Sequence, residues 1–343
     1  MTALVQRKKD GKQTLTKETI ARPVASAHQV LVKLSHAAQN PTDVVQSFDR
    51  SAFADGAVLG CDFVGVVEEI GPNVTRLKNG DIVAGLLWGG DIAGLGAYAE
   101  YSLADERISF KLPQKVQPAE ASTVPLAATT AWLALFSKKC LNIDRRKDRR
   151  KSILVWGGSS SVGLYTIQLA MLEGLNVITT CNPRNFELVK SVGAHRVFDY
   201  SDTDVIKKIQ EVEPDLEFVF DTIGNASSSN ISSQAIRKAG GGLCTVRPGK
   251  ANTEGVSEQT QVTDVLVWTT FNKDYRYWNF FWPADKEDHE LGAELFENIP
   301  TWLESGKLKP NKTSIKKGLD AVEGGFQEYR DGGISAYKIV YVL

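Results

Sequence analysis

The spacing of apolar positions changes about a third of the way along this chain. Before residue 124, short predicted strands at 30–34, 63–70 and 81–84 are separated by turns rich in glycine. Beyond that point, continuous apolar runs alternate with helical or turn-rich stretches, which is typical of strands buried on both faces of a parallel sheet. The pattern predicts an α/β chain in which a compact, barrel-like β domain precedes a doubly wound domain.

Six apolar runs are the predicted strands of the doubly wound domain. They cover residues 152–156, 176–180, 196–200, 216–221, 242–246 and 265–269. A helical stretch or a turn-rich link separates each pair, as the crossover connections of a parallel sheet require. The predicted organisation is a β-rich domain at 1–124, the doubly wound domain at 125–282, and a return to the first domain at 283–343 that ends in a strand at 338–342.

The turn after the first of these six strands has the composition of a phosphate-binding loop. The sequence GGSSSVG occupies residues 157–163 and leads into an apolar helix that ends near residue 173. Small residues let the backbone approach a dinucleotide pyrophosphate, and the helix N-terminus supplies positive charge to that anion. The predicted contacts are Gly158, Ser159, Ser160, Ser161, Val162 and Gly163. Because Ser160 replaces the middle glycine of G-x-G-x-x-G, an ordinary glycine-rich turn is the alternative.

The end of the second strand indicates which dinucleotide is bound. A site that selects NAD usually carries an acidic residue there, about 20 positions after the first glycine, but this strand ends TCNPR and the first carboxylate is Glu187. Asn182 and Pro183 are suited to begin a helix, which places Arg184 in its first turn. A guanidinium binds phosphate through paired hydrogen bonds, so NADPH is the predicted cofactor. The alternative for Arg184 is a solvent-facing helix residue.

Composition and charge restrict the functions that this chain can have. Its 343 residues, 42% hydrophobic and 24% charged, are typical of a globular enzyme. Because 40 basic residues nearly balance 41 acidic ones, neither a nucleic-acid nor a membrane partner is predicted. No apolar run of about 18 residues occurs, and the first residues do not resemble a signal segment, so the expected location is the cytoplasm. The four cysteines lack the spacing of a structural zinc site.

Motifs along the whole chain resemble those of the medium-chain dehydrogenase/reductase superfamily. They are NPTD at 40–43, LGCDFVG at 59–65, GPNV at 71–74, NGDIV at 79–83, GAYAEY at 96–101 and PLAATTAW at 125–132. Within that superfamily, residues 156–161 and 182–200 most resemble the fungal trans-acting enoyl reductases of polyketide synthases. The resemblance implies a GroES-like β-barrel domain beside a Rossmann-type domain that binds NADPH.

The resemblance also implies positions for several cofactor contacts. Thr180, Arg184 and Tyr200 are expected around the 2′-phosphate, and Lys338 near the cofactor. Ile223, just after the fourth predicted strand, completes the predicted set. The alternative for Tyr200 is an aromatic side chain packed on the domain surface at a strand end.

Departures from the zinc-dependent members of the superfamily affect the predicted chemistry. Those members carry a cysteine at the position of Asn40, and a histidine followed by glutamate at the positions of Cys61 and Asp62. A catalytic zinc needs three protein ligands, and the matched positions do not supply them. No metal is therefore predicted, and Cys61 is expected to be a buried structural thiol. The four histidines are expected to be surface or loop residues.

The predicted reaction is addition of hydride from NADPH to an activated carbon–carbon double bond. Alcohol oxidation usually relies on a metal to lower the pKa of the alcohol, whereas a conjugated carbonyl needs only hydrogen-bond donors for the negative charge that develops on its oxygen. Asn40 and Thr130 are the candidate donors, besides backbone amides and the cofactor ribose. The sequence identifies no proton donor, and water is the expected source of the α-carbon proton.

Several alternatives stay open at the level of the sequence. The substrate is a small molecule, namely an enoyl thioester, which includes an acyl chain held on a carrier, an alkenal or enone, or a quinone. A zinc alcohol dehydrogenase and an NADPH-binding protein without turnover are the competing functions. The aromatic segment at 268–282 is either packing or a wall for a large apolar substrate. Both a monomer and a homodimer are compatible with the sequence.

Overall fold

The computed structural model describes residues 1–277 and 280–343, except the side chains of Gln46, Tyr277 and Phe280. These residues form two compact units. Unit 1 contains Met1–Leu126, Phe296–Gly306 and Pro310–Leu343, and unit 2 contains Ala127–Leu295 and Lys307–Lys309.

The strands carry the framework of both units. Numbered β1 to β17 in chain order, they are Thr2–Lys9, Lys12–Thr19, Gln29–Ala38, Asp62–Ile70, Ile82–Leu86, Tyr101–Asp105, Ser109–Lys111, Ser152–Trp156, Asn176–Cys181, Arg196–Asp199, Phe218–Asp221, Gly241–Thr245, Thr260–Asp264, Tyr275–Tyr277, Phe280–Trp282, Thr313–Lys317 and Lys338–Val342.

The helices are shorter and connect the strands. The α-helices α1 to α8 are Pro118–Ala121, Pro125–Phe136, Ser161–Leu172, Phe186–Ser191, Val205–Val212, Ser228–Ser233, Lys286–Glu304 and Val322–Arg330. Single 3₁₀ turns lie at Glu106–Ile108, Pro183–Asn185, Pro248–Lys250, Val267–Phe271 and Leu319–Ala321, and a π-helical segment at Thr42–Asp49. Among the helices in the described part of the chain, none is both long and apolar enough to cross a membrane.

Unit 1 is built on a seven-stranded sheet with an irregular strand pairing. The strand order is β16, β17, β3, β4, β5 and β7, with β6 also paired to β3. Two register irregularities interrupt the pairing of β3 with β4, and such bulges increase the local bend and twist. Gly65 permits the close approach of these strands, because a Cβ there would lie 2.3 Å from the carbonyl oxygen of Lys33. The sheet is the predicted β-rich, GroES-like domain.

Unit 2 is a doubly wound domain. Its six strands are all parallel and lie in the order β10, β9, β8, β11, β12, β13. In chain order that arrangement is 3-2-1-4-5-6, the Rossmann order, in which ligands bind outside the carboxyl ends of the strands where the order reverses. The reversal lies between β8 and β11. The predicted fold class is confirmed.

The sixth strand of this sheet was predicted at the wrong position. The prediction was 265–269, but β13 covers Thr260–Asp264 and Val267–Phe271 forms a 3₁₀ turn. An edge strand pairs on one side only, so the polar sequence TQVTD is compatible with it. The apolar residues Val265, Leu266 and Trp268 are buried after the strand has ended, so their hydrophobicity reflects burial rather than strand formation.

Two further expectations concern the aromatic segment at 268–282, whose role is not tested, and the four histidines, one of which is buried. The aromatic segment at 268–282 contains the antiparallel pair β14 and β15, while residues 278 and 279 lie outside the described residues; its role stays a prediction. The expectation that all histidines are surface or loop residues is wrong for His289. This side chain is buried in α7, where ring atom Nδ1 lies 2.7 Å from the carbonyl oxygen of Thr270.

Candidate functional site

The glycine-rich loop joins β8 to α3 at the reversal point of the unit 2 sheet. Gly157 has a positive φ of 85°, which favours glycine. A Cβ at Gly158 would lie 2.0 Å from Thr179 Oγ1, and one at Gly163 would lie 2.4 Å from the carbonyl oxygen of Gly157. Glycine at these positions therefore lets the helix start directly against the strand.

Ser160 closes this loop with its own hydroxyl group. Its Oγ accepts a hydrogen bond from the amide of Gly163 at 2.9 Å and lies 2.9 Å from Thr222 Oγ1. Thr222 has a single hydroxyl hydrogen, which it donates to the carbonyl of Trp156 or Gly157, so Ser160 is the donor to Thr222. Ser160 is thus the N-cap of α3.

The N-terminus of α3 fits the pyrophosphate of a dinucleotide. The first helical residues after the cap are Ser161 and Val162, and amides at such positions have no acceptor within the helix. Together with the helix dipole, they favour an anion at this end. The loop from Ser159 to Val162 is half-buried, so the backbone is within reach of a ligand. Its contacts with phosphate stay a prediction.

The residues predicted around the 2′-phosphate lie at the carboxyl ends of β9 and β10. These strands are neighbours, with Thr180 opposite Phe198. Thr180 is buried, and its Oγ1 accepts a hydrogen bond from the amide of Gly157 at 3.2 Å. Arg184 is exposed in the first turn after Asn182, whose side chain caps that turn as predicted. Tyr200, which follows β10, is 51% exposed.

Ile223 rests directly on the glycine-rich loop. A Cβ at Gly157 would lie 2.5 Å from Ile223 Cδ1, and the Ile223 side chain is 37% exposed. The loop after β11 therefore lies against the loop after β8, on the side of the sheet where the strand order reverses.

Asp221, which sequence reasoning missed, holds the loop after β11 in place. Its carboxylate is fully buried and accepts hydrogen bonds from the amides of Ile223 and Gly224 at 3.0 and 3.1 Å. The hydroxyl groups of Ser228 and Ser229 donate to it at 2.6 and 2.7 Å. An aspartate ending the buried strand FVFD was the available signal, because burial of a charge requires partners.

A second polar cluster lies in the interior of unit 1, around Asp62. Lys338 Nζ lies 2.5 Å from Asp62 Oδ2, and the two side chains are 4% and 0% exposed. Asn40 Nδ2 donates to the same oxygen at 2.9 Å, and the amide of Leu126 donates to Asp62 Oδ1 at 2.7 Å. Lys338 Nζ also lies 3.4 Å from the carbonyl oxygen of Thr123. Lys338 is thus a buried cation paired with Asp62; its predicted cofactor contact stays a prediction.

Asn40 uses its hydrogen-bond donors within this cluster. Besides the bond to Asp62, its side-chain amide lies 3.4 Å from the carbonyl oxygen of Ala38, and its backbone amide donates to Asp43 at 2.8 Å. The predicted donation from Asn40 to a substrate oxygen is untested and would have to replace one of these bonds. Thr130, the other predicted donor, is buried in α2.

Asp43 lies in the same region, and among the described residues it has no cationic partner. Its carboxylate accepts hydrogen bonds from the Cys61 thiol at 3.2 Å and the Tyr98 hydroxyl at 3.1 Å. Burial raises the pKa of Asp43 from 3.8 to about 6. Burial likewise raises the pKa of Cys61 well above its ordinary value, so this residue is a protonated, buried thiol, as predicted.

These donors do not fit a zinc ion. Zinc binds thiolates and carboxylates, but the Cys61 thiol keeps its proton for Asp43, and Asp62 is bound by Lys338. Across residues 1–277 and 280–343, no group of three histidine, cysteine, aspartate or glutamate side chains is placed to hold a metal ion. The cluster instead holds a carboxylate, an amide and an ammonium group in direct contact.

Two family models match separate parts of the chain. The model of the alcohol dehydrogenase GroES-like domain matches residues 26–114, and the model of the zinc-binding dehydrogenase matches residues 161–260. The first lies in unit 1 and the second in unit 2.

Known proteins are similar over the full length. A trans-enoyl reductase of Fusarium sp. (strain FN080326) is 33% identical over 351 residues, which cover 100% of this chain and 98% of that protein. A zinc-type alcohol dehydrogenase-like protein of Schizosaccharomyces pombe is 29% identical over 332 residues, 93% of each chain. An alcohol dehydrogenase superfamily protein from Novosphingobium aromaticivorans has a similar crystal structure, with a TM-score of 0.81, 24% identity and coverage of 100% and 99%.

Proposed function

This chain belongs to the medium-chain dehydrogenase/reductase superfamily, and on that premise we propose that it is a zinc-independent, NADPH-dependent reductase of activated carbon–carbon double bonds. The full-length relatives, which are trans-enoyl reductases, support an oxidoreductase of the enoyl reductase type. The observation that supports zinc independence is the Asp62–Lys338 pair, because the Asp62 carboxylate, a possible metal ligand, is engaged by an ammonium group.

The residues of unit 2 that would bind NADPH lie at the carboxyl ends of four successive strands, β8 to β11. The amides at the start of α3 would bind the pyrophosphate, and Thr180, Arg184 and Tyr200 would surround the 2′-phosphate. Ile223, in contact with the glycine-rich loop, would pack against the nicotinamide half. When bound, NADPH supplies a hydride. We also propose that Lys338 contacts the cofactor while its ammonium group stays paired with the Asp62 carboxylate.

The chain's own contribution to the reaction is to stabilise charge on the substrate. The oxygen of a conjugated carbonyl becomes negative as its β-carbon gains hydride, and a fixed donor in a site shielded from water stabilises that charge. We assign this donation to Thr130, with Asn40 as the second candidate. The α-carbon then takes its proton from water.

The reaction class can be tested by following nicotinamide absorbance with a panel of enoyl thioesters, 2-alkenals, enones and quinones. We expect NADPH oxidation with the conjugated carbonyl compounds and no loss of rate after treatment with a chelator. Metal analysis by mass spectrometry is the parallel measurement. Stoichiometric zinc required for turnover would favour a zinc alcohol dehydrogenase, and tight NADPH binding without any oxidation would favour a binding protein.

The cofactor preference can be tested with Arg184→Glu. A carboxylate in place of the guanidinium removes a charged hydrogen bond and repels the 2′-phosphate, so KM for NADPH should rise about 10- to 100-fold. KM for NADH, which lacks that phosphate, should change by less than about 2-fold, because no hydrogen bond is lost. Arg196→Glu, an exposed substitution at the start of β10, is the matched control. Equal changes for both cofactors would refute the assignment.

A further inference from the structure

The loop after β12 places an arginine at the same edge of the unit 2 sheet as the glycine-rich loop. Arg247 Nε donates to the carbonyl oxygen of Gly224 at 3.0 Å, and Asn252 Nδ2 donates to the same oxygen at 2.8 Å. Gly224 has a φ of 61°, and a Cβ there would lie 2.4 Å from Arg247 Cγ. The arginine side chain therefore lies directly on Gly224, the neighbour of Ile223.

The guanidinium of Arg247 lacks an ion-pair partner among the residues that the structure describes. Arg247 is half-buried, and within the described part of the chain no carboxylate forms an ion pair with it. The nearby carboxylates are engaged elsewhere: Asp221 accepts four hydrogen bonds, and Asp264 accepts one from the amide of Gly249 at 2.9 Å. A partly buried guanidinium in this condition favours an anionic ligand, because arginine is seldom buried without a partner.

Three residues of the loop after β12 have left-handed backbone conformations, whose energetic cost other interactions must offset. Gly249, Lys250 and Asn252 have φ values of 74°, 54° and 66°, and such conformations in residues other than glycine are costly and concentrate at ligand sites. The two hydrogen bonds to Gly224 hold this conformation and, with it, the position of the Arg247 guanidinium.

The proposed sites for the anions of the cofactor lie away from Arg247 along the sheet, at β8 and at the strands on its other side, β9 and β10. The pyrophosphate belongs at the start of α3, after β8, and the proposed 2′-phosphate residues follow β9 and β10. β12 lies two strands from β8 in the opposite direction, about 10 Å away at ordinary strand spacing. In the proposed binding mode the nicotinamide half would lie on the β11 and β12 side of the reversal point, and the reduced nicotinamide ring carries no negative charge.

We propose that Arg247 binds an anionic group, a phosphate or a carboxylate, that the substrate carries at a distance from its reducible double bond. This inference rests on the proposed function and narrows its substrate class. Neutral alkenals and quinones would then be poorer substrates than acyl thioesters with a phosphorylated handle or enones with a carboxylate.

The test compares substrates with and without a charged group on the same reducible unit, using wild type and Arg247→Gln. The first pair is crotonyl coenzyme A and the crotonyl thioester of N-acetylcysteamine, and the second pair is an enone carboxylic acid and its methyl ester. We expect the substitution to raise KM for at least one anionic member about 10- to 100-fold while kcat changes little, because one charged hydrogen bond to the substrate is lost. The neutral members should keep their KM within about 2-fold, because they have no such bond to lose. The pair that responds identifies the anion.

Two control variants separate binding from loop structure and from general charge. Asn252→Ala removes the other hydrogen bond to Gly224 and so loosens the loop that positions Arg247; it should weaken binding of the anionic member by less than Arg247→Gln does. Lys250→Gln removes an exposed cation of the same loop and should not discriminate between charged and neutral substrates. A loss with Arg247→Gln that is equal for both members of each pair, or no loss, would overturn the proposal. So would a weaker NADPH affinity by calorimetry, since the anion would then belong to the cofactor.

Calorimetry also distinguishes this proposal from the proposed function. If neither thioester nor enone is reduced, the reductase assignment fails, but coenzyme A and the enone acid can still be titrated into the NADPH-loaded protein. A 10- to 100-fold weaker binding of either by Arg247→Gln than by wild type, about the effect of one charged hydrogen bond, would support an anion site at Arg247. Equal binding, or binding of neither anion, would reject it.

Discussion

Each unit of this protein contains a fully buried aspartate, and the two carboxylates are stabilised in different ways. Asp62, the first residue of β4, is bound by the Lys338 ammonium and by two amides. Asp221, the last residue of β11, is bound within the described part of the chain by neutral donors, two backbone amides and two serine hydroxyls. The charge of Asp62 is balanced by a single lysine, whereas the charge of Asp221 is stabilised by hydrogen bonds from four neutral groups.

The two kinds of stabilisation differ in how they respond to the loss of one partner. A buried ion pair is sensitive to loss of either member, because the remaining charge then has no partner. A carboxylate with several neutral donors tolerates the loss of one donor and instead orders the backbone around it. Asp62 therefore keeps a cation inside unit 1, and Asp221 shapes the loop that contacts the glycine-rich loop.

Lys338→Met should have the largest effect on stability. Methionine retains the length of the side chain but leaves the Asp62 carboxylate buried without a cation, so the free energy of unfolding should fall by about 3–5 kcal/mol. Urea denaturation measures the change. The double variant with Asp62→Leu should recover much of the loss, and a fall below about 1 kcal/mol would show that the pair is not a buried charge pair in solution.

Asp43 is another fully buried carboxylate of unit 1. The described residues give it no cationic partner, and its effect on stability should depend on pH. Because burial raises the pKa of Asp43 in the folded state from 3.8 to about 6, the folded protein binds the proton more tightly than the unfolded chain does. The stabilisation is complete below about pH 4 and is lost as the pH rises through about 6. Relative to Asp43→Asn, wild type should lose about 3 kcal/mol across this window.

The measurement is the difference in unfolding free energy between wild type and Asp43→Asn at several pH values. The change of this difference with pH reports the titration of Asp43 even if the substitution alters stability by a constant amount at every pH. A flat difference between pH 4 and 7 would mean that Asp43 titrates at its ordinary pKa, and a difference that rises with pH would reverse the sign of the argument.

Asp221→Ala should cost less than Lys338→Met, about 2 kcal/mol, because the donors released are neutral. The loop after β11 should also become less ordered, which weakens NADPH binding. Chemical denaturation and calorimetry measure the two effects. Ser229→Ala, which removes one donor, is the graded control and should cost about 1 kcal/mol. If the single-donor variant is as unstable as Asp221→Ala, the donors do not share the carboxylate as described.

Ser160→Ala should have the smallest effect. It removes the N-cap of α3 and should lower stability by about 1 kcal/mol, whereas Ser160→Gly should cost only a few tenths, because glycine is an acceptable cap. Thermal denaturation distinguishes the two. Because the Ser160 hydroxyl is used within the loop, NADPH affinity should change little in either variant, and a large loss in both would indicate direct contact with the cofactor.

The fold was accessible from the sequence because its signals are local. Continuous apolar runs predicted five of the six strands of unit 2 within a few residues, and small residues after β8 predicted the loop that precedes α3. The sixth strand was misplaced because hydrophobicity reports burial, and the buried residues 265–268 follow the edge strand. The residues around Asp62, Asp43 and Asp221 were not predicted as partners, because a carboxylate in an apolar run indicates only that some partner must exist.

The sequence by itself determined where most strands of unit 2 lie along the chain, the glycine-rich loop and the family, since these depend on residues close together in the chain and on motifs that recur at fixed spacing. Only the tertiary structure decided which charges meet. Asp62 and Lys338 are 276 residues apart, and they come together because β17 pairs with β3, which in turn pairs with β4. Strand register, which depends on packing of the whole sheet, brings these two side chains into contact.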